Sequence, residues 1–434
     1  MRHKHVAVLA ATGLLLTAGC GGTPGNDKAP APEAPATSSS PTAKRASYDP
    51  PHAFSRTDAV TLPKEAKAAA SSLSGGGTST VALHKTLAYV AGPVSLTAID
   101  ASTGETLRTA RPGHPVLGAD SEFQFENDVP AHPVISSGNT PLVAQAFLTE
   151  VPASGTTPAR RLAEVVTMKA DTGTPSDVIQ IELPKWAQEK ILEPEAAVVG
   201  SEGALAVVTV RTAKYEDHAV SYAIDLTHGT ILWKKEVLAT SLSGGSVVAI
   251  DRPGSSERQR ALALNLTDGT TRWTAGLDGY QTRATAVGPR LIYVAGRDYE
   301  DGSRFAHLLD SRTGTTRTVF KDGYAGADCA YDAKSVVVCS GTLSEESASG
   351  FDATTGKLLW QLPDEDANRV APEVTAVWHD LLYGTTDAGP VLLDARTGKD
   401  VEGSPAIAPL VVNGYTGIAE DHDRGGLVAY RAAG

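Results

Sequence analysis

The sequence predicts an all-β fold, a β-propeller of four-stranded blades in which eight blades are favoured and seven are the alternative. A short turn motif recurs down the chain, its later copies are evenly spaced at 40 to 45 residues, and 42 glycines are spread among 434 residues. A self-similar unit of that length has the size of one four-stranded blade. Abundant glycine suits a protein with many tight turns.

Each copy of the motif has a few apolar residues, then Asp (Asn in one copy), two or three further residues and Gly, followed by a strand. The Asp side chain can accept hydrogen bonds from the backbone amides ahead of it, and Gly accepts positive φ at the tightest point of a hairpin. Six copies share this form, and Met168–Gly173 is a shortened copy in which Asp171 stands closer to its glycine. The motif glycines are Gly104, Gly173, Gly229, Gly269, Gly314, Gly356 and Gly398.

Tryptophan follows the motif glycine by four residues in three copies, at Trp233, Trp273 and Trp360. We expect these side chains to lie on the outer strand of a blade and to pack against the adjoining blade. The motif residues resemble the pyrroloquinoline-quinone-like propeller repeat, whose blades end in an Ala-x-Asp-x-x-Thr-Gly-x-x-x-Trp pattern. The resemblance extends from about residue 54 to the end of the sequence. It implies the fold but not the role, because that repeat serves both enzymes and protein-binding lipoproteins.

After the seventh motif the chain supplies three more strand-like segments, at 408–414, 415–420 and 425–432. Ala53–Leu62, ahead of the first blade, is a spare segment of the same kind. If it pairs as the outer strand of the last blade, the ring closes and no sheet edge stays open. We therefore predict that residues 49–434 form one propeller domain closed by an N-terminal strand, and we expect a monomer.

The first residues predict export and lipid attachment at Cys20. Arg2 and Lys4 precede an apolar run that is too short to cross a bilayer, which requires about 20 residues. Small residues then lead directly to Cys20, which resembles the lipobox of bacterial lipoproteins, although the favoured leucine stands one place early at Leu16. An ordinary cleaved signal peptide is the alternative.

A lipid anchor at Cys20 would make residues 1–19 a signal peptide and residues 20–48 a tether. The tether is rich in Pro, Ala, Ser and Thr with hardly any large apolar residue, so we expect it to be disordered. A flexible segment of this kind suits a globular domain anchored to a membrane. We therefore expect the protein on the extracytoplasmic side of the cell membrane.

Cys329 and Cys339 flank a polar turn at Asp332–Lys334. In a hairpin they would face each other across neighbouring strands. Export to an oxidising compartment makes a disulfide the favoured interpretation, and two buried free thiols are the alternative.

Charge and motifs exclude several function classes. A net charge of -12 disfavours nucleic acid as a partner, because phosphate binding needs a basic face. The sequence has no Gly-x-Ser-x-Gly elbow, His-Glu-x-x-His pair or phosphate-binding glycine loop. The repeat leaves a quinoprotein-type dehydrogenase as an alternative, but the sequence lacks adjacent cysteines and a Cys-x-x-Cys-His haem motif. No cofactor or metal is predicted, and pyrroloquinoline quinone with calcium belongs to that alternative.

The connections of a propeller blade alternate between two faces. The motif hairpins and the links between the first two strands share one face, while the opposite face collects the remaining links and the passages between blades. Acidic residues concentrate on this second face, together with a basic stretch at Arg252–Arg260. Solvation alone is one interpretation, and docking of a partner is the other, because loops on a rigid scaffold carry function. The candidate residues are Asp298, Glu300, Asp301, Asp364 and Glu365, of which the first three could also hold calcium.

The sequence thus favours a membrane-anchored lipoprotein whose propeller is a non-enzymatic scaffold for a protein or small-molecule partner on the acidic face. In fold it resembles the propeller lipoprotein of the outer-membrane barrel-assembly machinery. A quinoprotein-type dehydrogenase and an extracytoplasmic ligand sensor are the alternatives.

Overall fold

The computed structural model describes residues 46–68, 79–117, 133–189, 194–212, 218–251, 258–320, 327–341 and 347–434. Cys20, residues 1–45 and the greater part of the basic stretch 252–260 lie outside these ranges. The described residues form eight antiparallel sheets and one short 3-10 helix, Lys185–Gln188. The predicted all-β class and the eight-bladed propeller are confirmed.

The strands follow one another blade by blade along the chain, after a first strand β1 at Phe54–Thr61. Blade 1 contains β2 (Val81–His84), β3 (Leu87–Ala91), β4 (Leu96–Asp100) and β5 (Thr106–Ala110). Blade 2 contains β6 (Val134–Ile135), β7 (Leu142–Val151), β8 (Arg160–Lys169) and β9 (Pro175–Glu182). Blade 3 contains β10 (Pro194–Glu202), β11 (Leu205–Thr212), β12 (Ala219–Asp225) and β13 (Thr230–Lys235). Blade 4 contains β14 (Leu238–Ser243), β15 (Ser246–Asp251), β16 (Arg260–Asn265) and β17 (Thr271–Thr274).

The second half of the chain repeats the arrangement. Blade 5 contains β18 (Gly279–Ala286), β19 (Leu291–Asp298), β20 (Arg304–Asp310) and β21 (Thr316–Val319). Blade 6 contains β22 (Asp328–Tyr331), β23 (Val336–Ser340), β24 (Ala348–Asp352) and β25 (Leu358–Leu362). Blade 7 contains β26 (Glu373–Trp378), β27 (Leu381–Thr386) and β28 (Gly389–Asp394), and its fourth strand is reduced to a bridge between Leu393 and Asp400. Blade 8 contains β29 (Val411–Val412), β30 (Thr416–Asp421) and β31 (Gly426–Ala432).

The N-terminal strand closes the ring as predicted. β1 pairs antiparallel with β31, with Phe54 opposite Ala432, and becomes the outer strand of blade 8. The Phe54 side chain is buried against Gly417 and Tyr383 of blades 8 and 7. Blade 8 therefore joins the two ends of the described chain, and the count of eight blades depends on this pairing.

The core consists of eight apolar clusters, each buried between two consecutive blades. One of them unites Ile418 and Ala429 of blade 8 with Val81 and Ile99 of blade 1. Each sheet thus buries both faces, which explains why the inner strands are continuous runs of Val, Ile, Leu and Ala. A one-residue change of register would disrupt packing on both sides of a blade.

The motif hairpins have the predicted construction. All seven glycines have positive φ, between 65° and 75°. The Asp carboxylates accept backbone hydrogen bonds, as at Asp352, whose Oδ1 accepts from the amides of Thr354 (3.2 Å) and Thr355 (2.9 Å). These aspartates stabilise turns, in agreement with their assignment to the scaffold.

One copy of the motif differs from the prediction. The hairpin at Gly173 is not shortened, because the Gly173 amide donates to the Lys169 carbonyl at 2.8 Å, the same span that joins Gly269 to Asn265. Lys169 therefore takes the place of the motif aspartate. Asp171 points outward and bonds to His84 (2.8 Å) and Lys85 (2.5 Å) of blade 1. The hydrogen bond from Lys85 has the larger effect, and together with the bond from His84 it lowers the pKa of the Asp171 carboxyl.

A disulfide joins Cys329 and Cys339, which are directly opposite each other on β22 and β23. The turn between the strands is held by Asp332, a fully buried residue whose Oδ1 accepts the amides of Lys334 (2.8 Å), Ser335 (2.8 Å) and Val336 (2.9 Å). The hairpin geometry expected from the cysteine spacing is thus present.

Candidate functional site

The two faces of the propeller are defined by hydrogen bonds within each blade. Every motif hairpin bonds to the link between the first two strands of its own blade, as the Leu226 amide does to the Ala204 carbonyl (2.9 Å). We call this side the hairpin face. The opposite side, with the links between second and third strands and the passages between blades, is the loop face. All five candidate acidic residues lie on the loop face.

Three of the candidates form the turn between β19 and β20. Asp298 Oδ1 accepts the amides of Glu300 (2.8 Å) and Asp301 (3.3 Å), and Asp301 Oδ1 accepts the amide of Ser303 (2.8 Å). The hydroxyl and the amide of Ser303, both bonded to Asp301, lower the pKa of that carboxyl. Two of the three carboxylates therefore stabilise the turn that carries them, which leaves the Glu300 side chain to face solvent.

The other two candidates belong to the passage between blades 6 and 7. Asp364 and Arg369 exchange two backbone hydrogen bonds of 2.9 Å, and Asp364 Oδ1 accepts the Ala367 amide at 3.1 Å. Arg369 in turn donates to Asp400 at 3.1 Å. No hydrogen bond or ion pair joins this passage to the acidic turn of blade 5 within the described ranges. The five candidates therefore belong to two different turns and not to one bonded cluster.

Calcium binding would need several carboxylates converging on one point. Within the part of the chain that the structure describes, no group of three or more His, Cys, Asp or Glu side chains is arranged to hold a metal ion. The Asp298–Asp301 turn uses its carboxylates as acceptors for its own amides, which accounts for their close spacing in the sequence.

Arginine and tyrosine accompany the acidic turn. The Arg258 guanidinium lies 4.7 Å from the centre of the Tyr299 ring and also bonds to Asp278 at 3.1 Å. Tyr299 is 45% exposed, although it stands in the middle of the acidic turn. Sequence inspection by charge alone missed this aromatic residue. Together Arg258, Asp278, Tyr299 and the Asp298–Asp301 turn form what we call the blade 5 surface.

A buried carboxylate in blade 2 was not predicted either. Glu164 on β8 is fully buried, and its Oε1 lies 2.7 Å from His114 Nδ1 and accepts from Gln180 Nε2 at 3.0 Å. Its Oε2 accepts the His114 amide at 3.1 Å. The one signal in the sequence is a charged residue inside the apolar run Leu162–Val166 of this strand. The pairing with His114 depends on how the passage after β5 folds back onto blade 2.

The described chain begins on the hairpin face. The Tyr48 amide donates to the Gly414 carbonyl at 2.7 Å, and Asp49 Oδ1 accepts from Trp378 Nε1 at 2.8 Å and lies 2.5 Å from His379 Nδ1. Trp378 and His379 are stacked, with ring centres 4.1 Å apart. The segment before β1 is thus attached to blades 7 and 8.

Two clefts also lie on the hairpin face. One, of about 550 Å³, lies between blades 3 and 4 and is lined by Glu202, Leu205, Leu266 and Arg272 among others. The second, of about 340 Å³, lies between β9 of blade 2 and the 226–229 hairpin of blade 3. Neither cleft was predicted, because the links on this face are short. No helix among the described residues is long and apolar enough to cross a membrane.

Comparison with known proteins agrees with the repeat. A family model of the pyrroloquinoline-quinone-like type, described as outer membrane protein assembly factor BamB, matches residues 216–409. The match covers less than half of the chain, and over those residues it confirms the predicted resemblance to the pyrroloquinoline-quinone-like repeat.

Solved structures with the same kind of fold are distant in sequence. BamB from Moraxella catarrhalis is 16% identical, with 81% of this chain and 92% of that chain covered and a TM-score of 0.44. Quinohemoprotein alcohol dehydrogenase from Comamonas testosteroni is 12% identical, with 86% and 76% covered and a TM-score of 0.45. A europium-containing methanol dehydrogenase is 10% identical, with 84% and 92% covered and a TM-score of 0.42. No curated protein sequence matches the chain.

Proposed function

We propose that this protein is a lipoprotein anchored through Cys20 on the extracytoplasmic side of the cell membrane, and that its propeller is a non-enzymatic scaffold. The partner binds the loop face, and the blade 5 surface is the centre of its binding site. The observation that carries this proposal is the exposed Tyr299 ring, covered on one side by Arg258 and surrounded by carboxylates.

The residue types of the blade 5 surface support a protein-binding role. Tyrosine and arginine dominate the binding energy of protein interfaces, because they bury large areas and also donate hydrogen bonds. The exposed carboxylate of Glu300 adds a charge that would favour a basic partner and speed its association. The turn itself is fixed by its own Asp caps, so little ordering entropy would be lost on binding.

The position at which the described chain begins also supports the proposal. Tyr48 and Asp49 lie on the hairpin face, on the side away from the blade 5 surface. A lipid at Cys20 would therefore be connected to the hairpin face through residues 20–45. The described chain therefore does not enter the propeller at the blade 5 surface. The matched family model, described as that of an assembly factor, is consistent with a scaffold role.

The loop-face proposal is tested by crosslinking the intact lipoprotein in cells and identifying the captured partner by mass spectrometry. Tyr299→Ala and Glu300→Lys should reduce capture strongly, by about tenfold or more for the tyrosine. Both changes leave the Asp298 cap in place. Glu105→Lys, an exposed residue on the hairpin face, is the matched charge control and should leave capture unchanged.

Unchanged capture by both loop-face variants would refute the partner site. Dye-linked oxidation of alcohols or sugars after addition of pyrroloquinoline quinone and calcium would instead support the dehydrogenase alternative. The anchor is tested separately, because Cys20→Ala should abolish metabolic labelling with a palmitate analogue and release the protein from membranes. Labelling that persists in Cys20→Ala would refute the anchor without affecting the loop-face site.

A further inference from the structure

Five junctions between blades on the hairpin face are filled by a large aromatic side chain, which is either tryptophan or tyrosine. In blades 3, 4 and 6 the filler is the tryptophan four residues after the motif glycine. Its ring covers the motif glycine of the following blade. Its Nε1 donates to a backbone carbonyl of that blade, at the residue directly after the motif Asp or Asn. These bonds are Trp233 to Leu266 (2.8 Å), Trp273 to Ser311 (2.9 Å) and Trp360 to Ala395 (2.7 Å).

Blades 1 and 7 use a tyrosine on their second strand instead, and in blade 5 Arg317 and Thr318 cover the motif glycine Gly356. Tyr89 and Tyr383 are buried, and each pairs across the sheet with the residue two positions before the motif Asp of its blade. The Tyr89 hydroxyl donates to the Ala170 carbonyl at 2.7 Å, which is the same acceptor position that tryptophan uses elsewhere. Burial raises the pKa of Tyr89 to about 12, so this hydroxyl remains a donor at physiological pH. In blade 8 Val60 takes the corresponding place against Gly104.

Blade 2 has neither filler. The position opposite Thr167 on β7, where blades 1, 5 and 7 carry tyrosine, is Ala144, and the position four residues after Gly173 is Asp177. The nearest side chain to Gly229 of blade 3 is Ile179, which a β-carbon on the glycine would meet only at 3.7 Å. Gly229 is consequently exposed, whereas Gly269 and Gly398, which tryptophans cover, are buried.

The 340 Å³ cleft occupies this junction. It is lined by residues 177–180 of β9 and by residues 226–229 of the blade 3 hairpin. The Leu226 carbonyl occupies the position of the carbonyls that accept from an indole elsewhere, at Leu266, Ser311 and Ala395. It receives no hydrogen bond from the described residues. Ile231, which pairs with Ile224 on the blade 3 face turned to blade 2, is 44% exposed.

We propose that this cleft, which we call the blade 2 slot, binds a tryptophan side chain from a partner protein. The chain itself shows what the slot accepts, because three equivalent junctions hold an indole that stacks on the motif glycine and donates to the same carbonyl. The indole of a partner can reach the slot from the rim, as the outer-strand tryptophans do. Residues 1–45 contain no aromatic residue, so the N-terminal segment does not supply the indole.

The surroundings define the partner further. Asp177 is exposed at the edge of the slot, and Asp225 directly precedes the lining residue Leu226, with its Oδ2 2.8 Å from His228 Nδ1. Burial raises the pKa of Asp225, but hydrogen bonds from the His228 side chain and from the amides of His228 and Thr227 outweigh it and lower the pKa overall. Asp225 is therefore ionised at neutral pH. A lysine or arginine next to the partner tryptophan would find carboxylates at the slot.

The first test uses N-acetyl-L-tryptophanamide as the probe and the full propeller as the target. Hydrogen exchange should show protection of amides in 226–229 and 177–180 when the probe is present. Asp177→Trp fills the slot from within and should weaken probe binding by about tenfold or more while raising the melting temperature. Asp177→Ala removes the charge but leaves the slot open, so it should bind the probe like the native protein.

The second test uses a displayed library of random peptides. Peptides that bind the native protein but not Asp177→Trp should carry tryptophan beside a basic residue. Enrichment of peptides without tryptophan, probe protection elsewhere on the propeller, or equal probe binding by Asp177→Trp would each overturn the proposal. Glu300→Lys on the loop face should leave probe binding unchanged, so failure of the loop-face site and failure of the slot are distinguishable.

Discussion

Replacement of Trp273 by alanine tests how much the indole contacts contribute to joining the blades. Trp273 is only 9% exposed, and its ring lies so close to Gly314 that a β-carbon there would be 2.6 Å away. An aromatic side chain of this kind buries about 150–250 Å², which corresponds to about 4–6 kcal/mol of transfer free energy at 25 cal/mol per Å². Measured truncations of buried tryptophan give about 3–5 kcal/mol. We therefore expect Trp273→Ala to lower the free energy of unfolding by about 3–5 kcal/mol.

The assay is equilibrium unfolding in urea followed by circular dichroism, with Trp273→Phe and Thr318→Ala as companions. Trp273→Phe keeps most of the ring but leaves the Ser311 carbonyl without its donor, and should cost about 1–3 kcal/mol. Thr318 holds the same position in blade 5, where its hydroxyl donates to the Gly356 carbonyl at 2.6 Å. Its replacement by alanine should cost about 0.5–1.5 kcal/mol. If Trp273→Ala costs no more than Thr318→Ala, the indole is not what joins the blades.

Three further predictions concern stability. Reduction of Cys329–Cys339, whose loop spans ten positions, should lower the free energy of unfolding by about 2–3 kcal/mol, measured by urea unfolding with and without reductant. Phe54→Ala should lower it by about 3–5 kcal/mol because it weakens the closing strand, and unchanged stability would contradict closure by β1. Burial raises the pKa of Asp310, but Arg317 (2.6 Å) and backbone amides outweigh it, so the pKa is lowered overall. The pair should therefore stabilise the fold above about pH 4 and lose this contribution as the pH falls through the folded pKa. Asp310→Asn should destabilise by about 1–3 kcal/mol at pH 7, and this difference should shrink near pH 3 in pH-dependent urea unfolding.

The blades and the closure could be predicted from the sequence because the signals are local. The Asp caps and the positive-φ glycines act within five residues, so each motif specifies its hairpin wherever the blade lies. Closure by β1 followed from a requirement on the whole ring, since an unpaired edge would remain without it. The Gly173 hairpin was misjudged because Asp171 was aligned with the motif aspartate. The backbone bond from Gly173 to Lys169 shows that the length of the turn, not the identity of one residue, defines the repeat.

The candidate site was predictable only in part. Placement of the acidic residues on the loop face followed from the alternation of connections, but their use as turn caps did not. Asp298 and Asp364 look like ligands in a linear sequence, whereas in the fold they accept hydrogen bonds from neighbouring amides. The contact between Glu164 and His114 joins residues 50 positions apart through a passage without a repeat pattern. Contacts of this kind depend on tertiary packing, which no local signal encodes.

The blade 2 slot illustrates how a repeat can reveal function by a missing residue. Asp177 is visible in the sequence as a gap in the tryptophan pattern, but blades 1, 5 and 7 also lack that tryptophan. Tyrosine fills the junction in blades 1 and 7, and Arg317 and Thr318 cover Gly356 in blade 5. The gap becomes informative only when both positions are compared, because Ala144 and Asp177 together leave the junction open. A filled junction stabilises the ring, so Asp177→Trp should raise stability by a fraction of the 3–5 kcal/mol assigned to a buried tryptophan, about 1–2 kcal/mol. A position at which one substitution increases stability and abolishes binding is one where stability and function are in conflict. If Asp177→Trp instead destabilises the fold, the slot is not a vacant copy of the tryptophan junction.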